Sequence, residues 1–228
     1  MLARTRFAKL LKNILALSFD LRHGVRTAGT IQLHRLRIQS PNKTLGTFYV
    51  ATPKYEFRSI ISQLRIDAAR YSFVDLGCGM GRVVLYAMES GFARVIGVEF
   101  SPDLADIARS NINKYSLRSR TPAQIVTGDA AEYGLPNEPC VLWFFNPFQE
   151  SVTSEVLSNV HELYRAGNRD IYIIWYNVTP NARPLFEAPW LRVIAGETAC
   201  VTSKEASLEP LRAMELVLPY SILTVRGN

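Results

Sequence analysis

One stretch, Phe73-Val74-Asp75-Leu76-Gly77-Cys78-Gly79-Met80-Gly81-Arg82, gathers the groups that hold a charged ligand. An apolar run ends in the acid Asp75. Glycines follow at alternate positions, Gly77, Gly79 and Gly81. Glycine permits positive φ and lets a ligand come close to the backbone. The amphipathic run from Arg82 to Met88 then opens a helix, whose first-turn N–H groups face the same crevice. Strand, tight turn and helix in this order can cradle a nucleoside-bearing cofactor. A second acid, Glu99, ends the strand candidate Arg94-Val95-Ile96-Gly97-Val98-Glu99. It lies 22 residues after Gly77, near where a ribose-binding acid belongs in such a βαβ unit.

The dinucleotide fingerprint is G-x-G-x-x-G. Here the spacing is G-x-G-x-G, one residue tighter, which disfavours an NAD-dependent oxidoreductase. A glycine turn alone could merely connect strand to helix. Acids at two strand ends weigh against that reading. Two further apolar runs end in the same way. Gln124 to Gly128 leads to Asp129, and Val141 to Phe145 leads to Asn146-Pro147-Phe148. In an open α/β sheet, ligands bind beyond the carboxyl ends of the strands. Asp75, Glu99, Asp129 and Asn146 therefore converge on one crevice. Each acid also has a purely structural reading, as a helix cap or surface pair.

The elements that must position these residues follow from periodicity. Phe7 to Phe19 reads as a short amphipathic helix, with Phe7, Leu10, Leu11, Ile14, Leu15 and Leu17 apolar and Lys9 and Lys12 charged. Residues 21–55 read as a loop-rich segment crossing the mouth of the domain, with a helix from Glu56 to Arg70 after it. Ser101-Pro102 is a helix start. Leu104, Ile107, Ala108 and Ile112 repeat at helical spacing behind it. A helix from about Ser151 to Tyr164, a strand from Ile171 to Tyr176, and strands at Val193-Ile194 and Met214 to Val225 complete the chain. The loop Cys200 to Pro210 can join the last two strands as an antiparallel pair. Strands alternating with helices imply a doubly wound α/β architecture, with a mostly parallel sheet and helices on both faces.

Of 228 residues, 48% are apolar, enough for one well-buried α/β domain with a small extension. The expected division is a basic helix and lid segment over 1–55, then the main domain over 56–228. No apolar run reaches the length that spans a bilayer. Cys78, Cys140 and Cys200 are odd in number and scattered, so a reducing, cytoplasmic setting is expected. The three histidines form no metal-ligand pattern, and no metal is expected. The net charge of +6 is unevenly placed. Residues 1–45 hold nine Lys or Arg against the single acid Asp20, a net +8, while the remainder is slightly acidic. That basic helix can pack on its own domain, meet a partner helix, or meet nucleic acid or an acidic membrane surface.

D-L-G-C-G-x-G followed by V-I-G-V-E-F-S-P resembles the class I S-adenosylmethionine-dependent methyltransferases, over roughly Tyr71 to Phe148. The resemblance implies a seven-stranded Rossmann-like sheet with an antiparallel C-terminal strand, and S-adenosyl-L-methionine as cofactor. It implies that Asp75 and the backbone of Gly77, Cys78, Gly79 and Gly81 surround the methionine part. Glu99, with Phe100 beside it, would take the ribose hydroxyls, and Asp129 with Ala130 the adenine. Asn146, Pro147 and Phe148 would border the methyl group and the acceptor. In many such enzymes the segment before the first strand closes over the cofactor, which makes Tyr49 and Thr52 candidate contacts. Ordinary packing of an aromatic and a turn Thr-Pro is the alternative.

The acceptor signal is Asn146-Pro147-Phe148. Amino-directed methyltransferases often carry N-P-P-[FY] or D-P-P-[FY], and this chain is one proline short. The non-SET histone-lysine methyltransferases are similar at the glycine turn, the ribose Glu and the fourth strand. Small bacterial methyltransferases carrying F-D-x-x-x-G-V-x-T-x-G are also similar, matched here by Phe19-Asp20 through Thr27-Ala28-Gly29. The leading expectation is a methyltransferase acting on an amine or other heteroatom of a protein or small molecule. The alternatives are an RNA or DNA methyltransferase gripping phosphates through its basic arm, and a non-catalytic scaffold of the same fold. Few aromatics in that arm are available to stack bases.

Overall fold

The computed structural model describes residues 2–31, 49–116, 119–145, 148–167, 170–196 and 220–225, with the side chains of 1–12, 30–31 and 49–50 not among them. Seven strands form one sheet: β3 (Ser72–Leu76), β4 (Arg94–Glu99), β5 (Ala123–Thr127), β6 (Cys140–Phe145), β7 (Ile171–Tyr176), β8 (Leu191–Gly196) and β9 (Tyr220–Val225). Their order across the sheet is β5-β4-β3-β6-β7-β9-β8. The first five run parallel, and β9 lies antiparallel to both β7 and β8. The chain winds outward from β3 to β5, then returns to place β6 on the other side of β3. That reversal opens a crevice at the carboxyl end of β3.

Among the described residues, five helices of eight or more residues and one short helix accompany the sheet: α1 (Leu2–His23), α2 (Lys54–Ser62), α3 (Arg82–Glu89), α4 (Pro102–Tyr115), α5 (Glu150–Arg165) and α6 (Arg183–Glu187). The strands alternate between two cores. Phe73 and Trp143 join Phe57, Tyr86 and Tyr176 on one face. Val74 and Leu142 join Val156, Trp175 and Leu185 on the other. With both faces covered, the central strands β3, β6 and β7 are buried almost throughout and their period of two is hidden behind continuous apolar runs, while the outer strands β5 and β8 keep exposed positions.

Several boundaries differ from the sequence expectation. α1 runs from Leu2 to His23 rather than from Phe7 to Phe19, so its end takes in residues expected to be loop. Beyond it, β1 (Thr30–Ile31) pairs antiparallel with β2 (Tyr49–Val50) inside the segment expected to be irregular. α2 stops at Ser62, far short of Arg70. Arg65 takes a left-handed φ of 51°, which no α-helix carries, and Asp67 caps a separate 3-10 turn at Ala68–Arg70 by accepting from the Ala69 N–H. The loop Cys200 to Pro210, the start of the strand expected from Met214, and Asn146 and Pro147 lie outside the described residues. Among the described residues, no helix is long and apolar enough to cross a membrane.

Candidate functional site

The glycine turn takes the shape its sequence demands. Gly77, Gly79 and Gly81 have φ of 87°, 55° and 82°, the left-handed region that side chains disfavour. Gly77 and Cys78 both donate backbone N–H bonds to the Val98 carbonyl, pinning the turn to β4. A Cβ on Gly81 would meet the Ala108 Cβ at 3.2 Å, so this glycine also lets α3 approach α4. The Cys78 thiol is buried, and a Cβ on Gly97 would lie 2.8 Å from its sulfur. Cys78 thus contributes its backbone to the crevice and its side chain to packing under the turn. Burial and the nearby Asp75 and Glu99 charges push that thiol upward, away from reactivity.

Two carboxylates flank the turn. Glu99 is 3% exposed. It accepts from the Gly79 N–H at 2.8 Å with one oxygen and from the Ser101 N–H at 2.9 Å with the other. Burial nonetheless pushes its carboxyl up to about 7, against the pull of those backbone donors. Asp75 is equally buried, and no cation among the described residues pairs with it. Burial first, and the Glu99 charge second, hold its carboxyl well above the usual range. Two buried carboxylates without a counter-cation are costly unless a ligand supplies positive charge or donors.

The third acid is adjacent. Gly128 donates to the Glu99 carbonyl at 3.0 Å, setting Asp129 one residue beyond. Asp129 is half-buried and its Oδ1 accepts from the Ala131 N–H at 3.0 Å, closing a turn, while Ala130 is buried. Its side chain therefore has at least the structural role of shaping the loop. Phe100 is half-buried beside Glu99. The fourth strand end is described only in part. Phe148 is half-buried, packed edge-on to Phe144 at 6.3 Å between centroids.

Thr52 is buried, and its carbonyl accepts from the Tyr86 hydroxyl of α3. It lines a cavity between α1, α2 and α3 together with Arg82 and Tyr86, on the α3 side of the turn. β2 contains Tyr49, whose side chain is not described.

Two groups that sequence reasoning left without a role tie the site together. Asp20 accepts from the Thr27 N–H and hydroxyl, from the Ala28 N–H, and from Arg82 at 3.0 Å. Arg82 also donates to the Ala16 carbonyl and the Tyr86 hydroxyl, and its guanidinium lies 4.6 Å from the Phe19 ring centroid. Asn111 adds a second brace, donating to the carbonyls of Met80 and Arg26 and accepting from the Arg26 N–H. The segment carrying F-D-x-x-x-G-V-x-T is thus a clamp that bolts α1 to the glycine turn. Its sequence signal is the motif itself, in which Asp20 precedes its partner Thr27 by 7 residues. The other group is Glu56, buried on α2, which accepts from the hydroxyls of Tyr176 and Tyr55. Tyr176 ends β7, pairs with Phe145, and packs edge-on to it at 4.7 Å. Asn146 follows Phe145 directly, so this carboxylate stands near the fourth strand end.

A family model described as a methyltransferase domain matches residues 73–167, which span the glycine turn, Glu99, Asp129 and Asn146-Pro147-Phe148. No curated protein matches the chain. Among solved structures, an RNA methyltransferase from Salinibacter ruber in complex with S-adenosyl-L-homocysteine is similar, at 19% identity and a TM-score of 0.51 over 78% of this chain and 95% of that one. An O-methyltransferase from Bacillus cereus in complex with S-adenosyl-L-homocysteine is similar at 14% identity and a TM-score of 0.54, over 77% and 82%. Magnesium protoporphyrin IX methyltransferase from Synechocystis PCC 6803, with bound S-adenosylmethionine, is similar at 15% identity and a TM-score of 0.51, over 76% and 79%. At these identities the likeness is one of fold. The methyltransferase-domain match runs across the whole crevice, and the seven-stranded sheet around it has the fold of these methyltransferases.

Proposed function

We propose that this chain is a methyltransferase that moves a methyl group from S-adenosylmethionine to an amine or other heteroatom of a protein or small-molecule acceptor. One observation carries the cofactor reading. Asp75 and Glu99 are buried carboxylates without a counter-cation among the described residues, set against a turn of three left-handed glycines. That donor set fits a ligand bearing an ammonium, a sulfonium and ribose hydroxyls. Asp75 and the Gly77–Gly81 backbone would hold the methionine part. Glu99 has lone pairs beyond its two backbone bonds for the ribose, and Asp129 with Ala130 would border the adenine. Bound there, S-adenosylmethionine supplies an activated methyl group on a sulfonium.

The protein's remaining work is alignment, exclusion of water and management of one proton. Alignment of two reactants alone contributes roughly 7–11 kcal/mol in favourable cases. By the likeness of the motif, Asn146, Pro147 and Phe148 would hold an amine by amide and carbonyl oxygens against an aromatic ring. The Glu56–Tyr176 pair places a buried carboxylate at the same end of the sheet, where a proton leaving an amine can be accepted. The scarcity of aromatics to stack bases in the basic arm favours this acceptor class over a nucleic acid.

Calorimetric titration of S-adenosylmethionine and of NAD into wild type and Glu99→Ala tests the reading. Micromolar binding of S-adenosylmethionine alone, lost in the variant, is expected. Full-affinity binding by Glu99→Ala would overturn the site.

A further inference from the structure

α1 wears its apolar side outward. Ile14, Leu17 and Leu21 follow helical spacing and are 52%, 54% and 85% exposed. In the sequence the spacing extends back to Phe7 and Leu10. The opposite side of the helix is the one that meets the domain. Phe19 and Asp20 are buried there, and the Ala16 carbonyl accepts from Arg82. An isolated water-soluble helix does the reverse, so this face is built for an apolar surface.

Charge selects which surface. α1 contains Arg4, Arg6, Lys9, Lys12 and Arg22 against one acid, Asp20, and that acid is committed to Arg82. A cavity of about 530 Å3 opens beside the helix, lined by Arg22, Lys54, Arg58 and Arg82 and by no acid. Lys54 and Arg58 also reach Glu89. A second copy of the chain would bring a second basic helix face to face with the first and offer no carboxylate to match it. Nucleic acid would meet the cations but leave the leucines in water. A bilayer carrying anionic lipid satisfies both halves, since its acyl boundary takes the apolar stripe and its headgroups take the cations.

We infer that α1 docks this enzyme on an anionic membrane surface, lying in the interface with Ile14, Leu17 and Leu21 in the acyl boundary and the positive charge of the helix, including the exposed Arg22, toward the phosphates. Its charges exclude a spanning role, because no described helix is apolar enough to cross. The docking stands apart from the methyl-transfer reading and needs no cofactor.

Co-sedimentation of the full chain with vesicles tests it, using phosphatidylcholine alone and an equimolar mixture with phosphatidylglycerol. Binding to the mixed vesicles, little to phosphatidylcholine alone, and weakening in molar salt are expected. The triple variant I14Q/L17Q/L21Q changes only exposed positions, keeps the charge, and is expected to lose about tenfold or more in partitioning while melting as the wild type does. A charge variant, R6Q/R22Q, which removes cations at helical positions flanking the stripe, is expected to weaken binding to the mixed vesicles only. Failure of the wild type to bind, or equal binding by the triple variant, would overturn the inference. So would a wild-type dimer in sedimentation that the triple variant converts to monomer, since the face would then belong to a second copy.

Discussion

At the scale of single residues, the most consequential pair is Asp20 with Arg82. Their side chains are 11% and 3% exposed, and their oxygen and nitrogen are 3.0 Å apart. Removing one partner of a buried ion pair leaves the other charged and desolvated, at a cost of about 3–5 kcal/mol. Asp20→Ala also strips the acceptor from Thr27 and Ala28. We expect its unfolding free energy, read from urea denaturation, to fall by about that margin. The double variant Asp20→Leu/Arg82→Met should recover much of the loss, because apolar replacement of both partners removes the stranded charge. A double variant no more stable than Asp20→Ala would assign the damage to the lost turn around Thr27 instead. Neither partner's role was legible in the sequence, because a pair 62 residues apart has no local pattern. The same holds for Glu56 and Tyr176, separated by 120. Asp75 and Glu99 were legible because each closes an apolar run, and the strand end itself is the signal.

At the scale of elements, strands were easier to read than helix ends. Buried on both faces, β3, β6 and β7 are continuous apolar runs, and their limits lie within a residue or two of expectation. α2 was overrun because nothing in the composition of residues 63–70 announces the left-handed Arg65. α4 was found from its cap. The Ser101 hydroxyl accepts from the Leu104 N–H at 3.4 Å, with Pro102 at the first helical position. Ser101→Ala should cost about 1 kcal/mol, read as a lower thermal midpoint. Its backbone N–H still donates to Glu99, so cofactor affinity should stay at the wild-type value. A loss of affinity larger than the loss of stability would mean that the hydroxyl itself reaches the ligand. β4 carries a tighter constraint at Gly97. A Cβ there would lie 2.7 Å from Ile125 Cδ1, 2.8 Å from Cys78 Sγ and 2.9 Å from Val84 Cγ2. Gly97→Ala is expected to cost about 1–3 kcal/mol by overpacking. Cys78→Ala should relieve part of it in the double variant, which a double-mutant cycle in denaturant measures.

At the scale of the whole molecule, the crevice makes folding and cofactor binding depend oppositely on pH. Glu99 ionises near 4.5 in an unfolded chain and near 7 in the folded one, because burial favours its neutral form. Below about pH 4.5 both states hold the proton, and the group's stabilising contribution is fully present. As pH rises toward 7 the unfolded chain ionises first, and that contribution of about 3 kcal/mol is lost by the folded value. Asp75 is displaced in the same direction and adds to the loss. A cationic, hydroxyl-bearing ligand reverses the balance, since it favours both carboxylates in their charged form. The apo protein should therefore lose stability between about pH 5 and pH 7, while the stabilisation given by S-adenosylmethionine grows over the same interval. Calorimetry near pH 6.5 in buffers of different ionisation enthalpy should register protons released on binding. Glu99→Gln cannot ionise, so its melting curves should lose most of the pH slope, leaving only the share carried by Asp75. Thermal midpoints of wild type and variant, with and without cofactor from pH 5 to 8, read both arms together. A wild-type slope that survives intact in Glu99→Gln would place the titrating group elsewhere. On the proposed function the two buried acids share one explanation: a bound cationic ligand would return more than their desolvation costs.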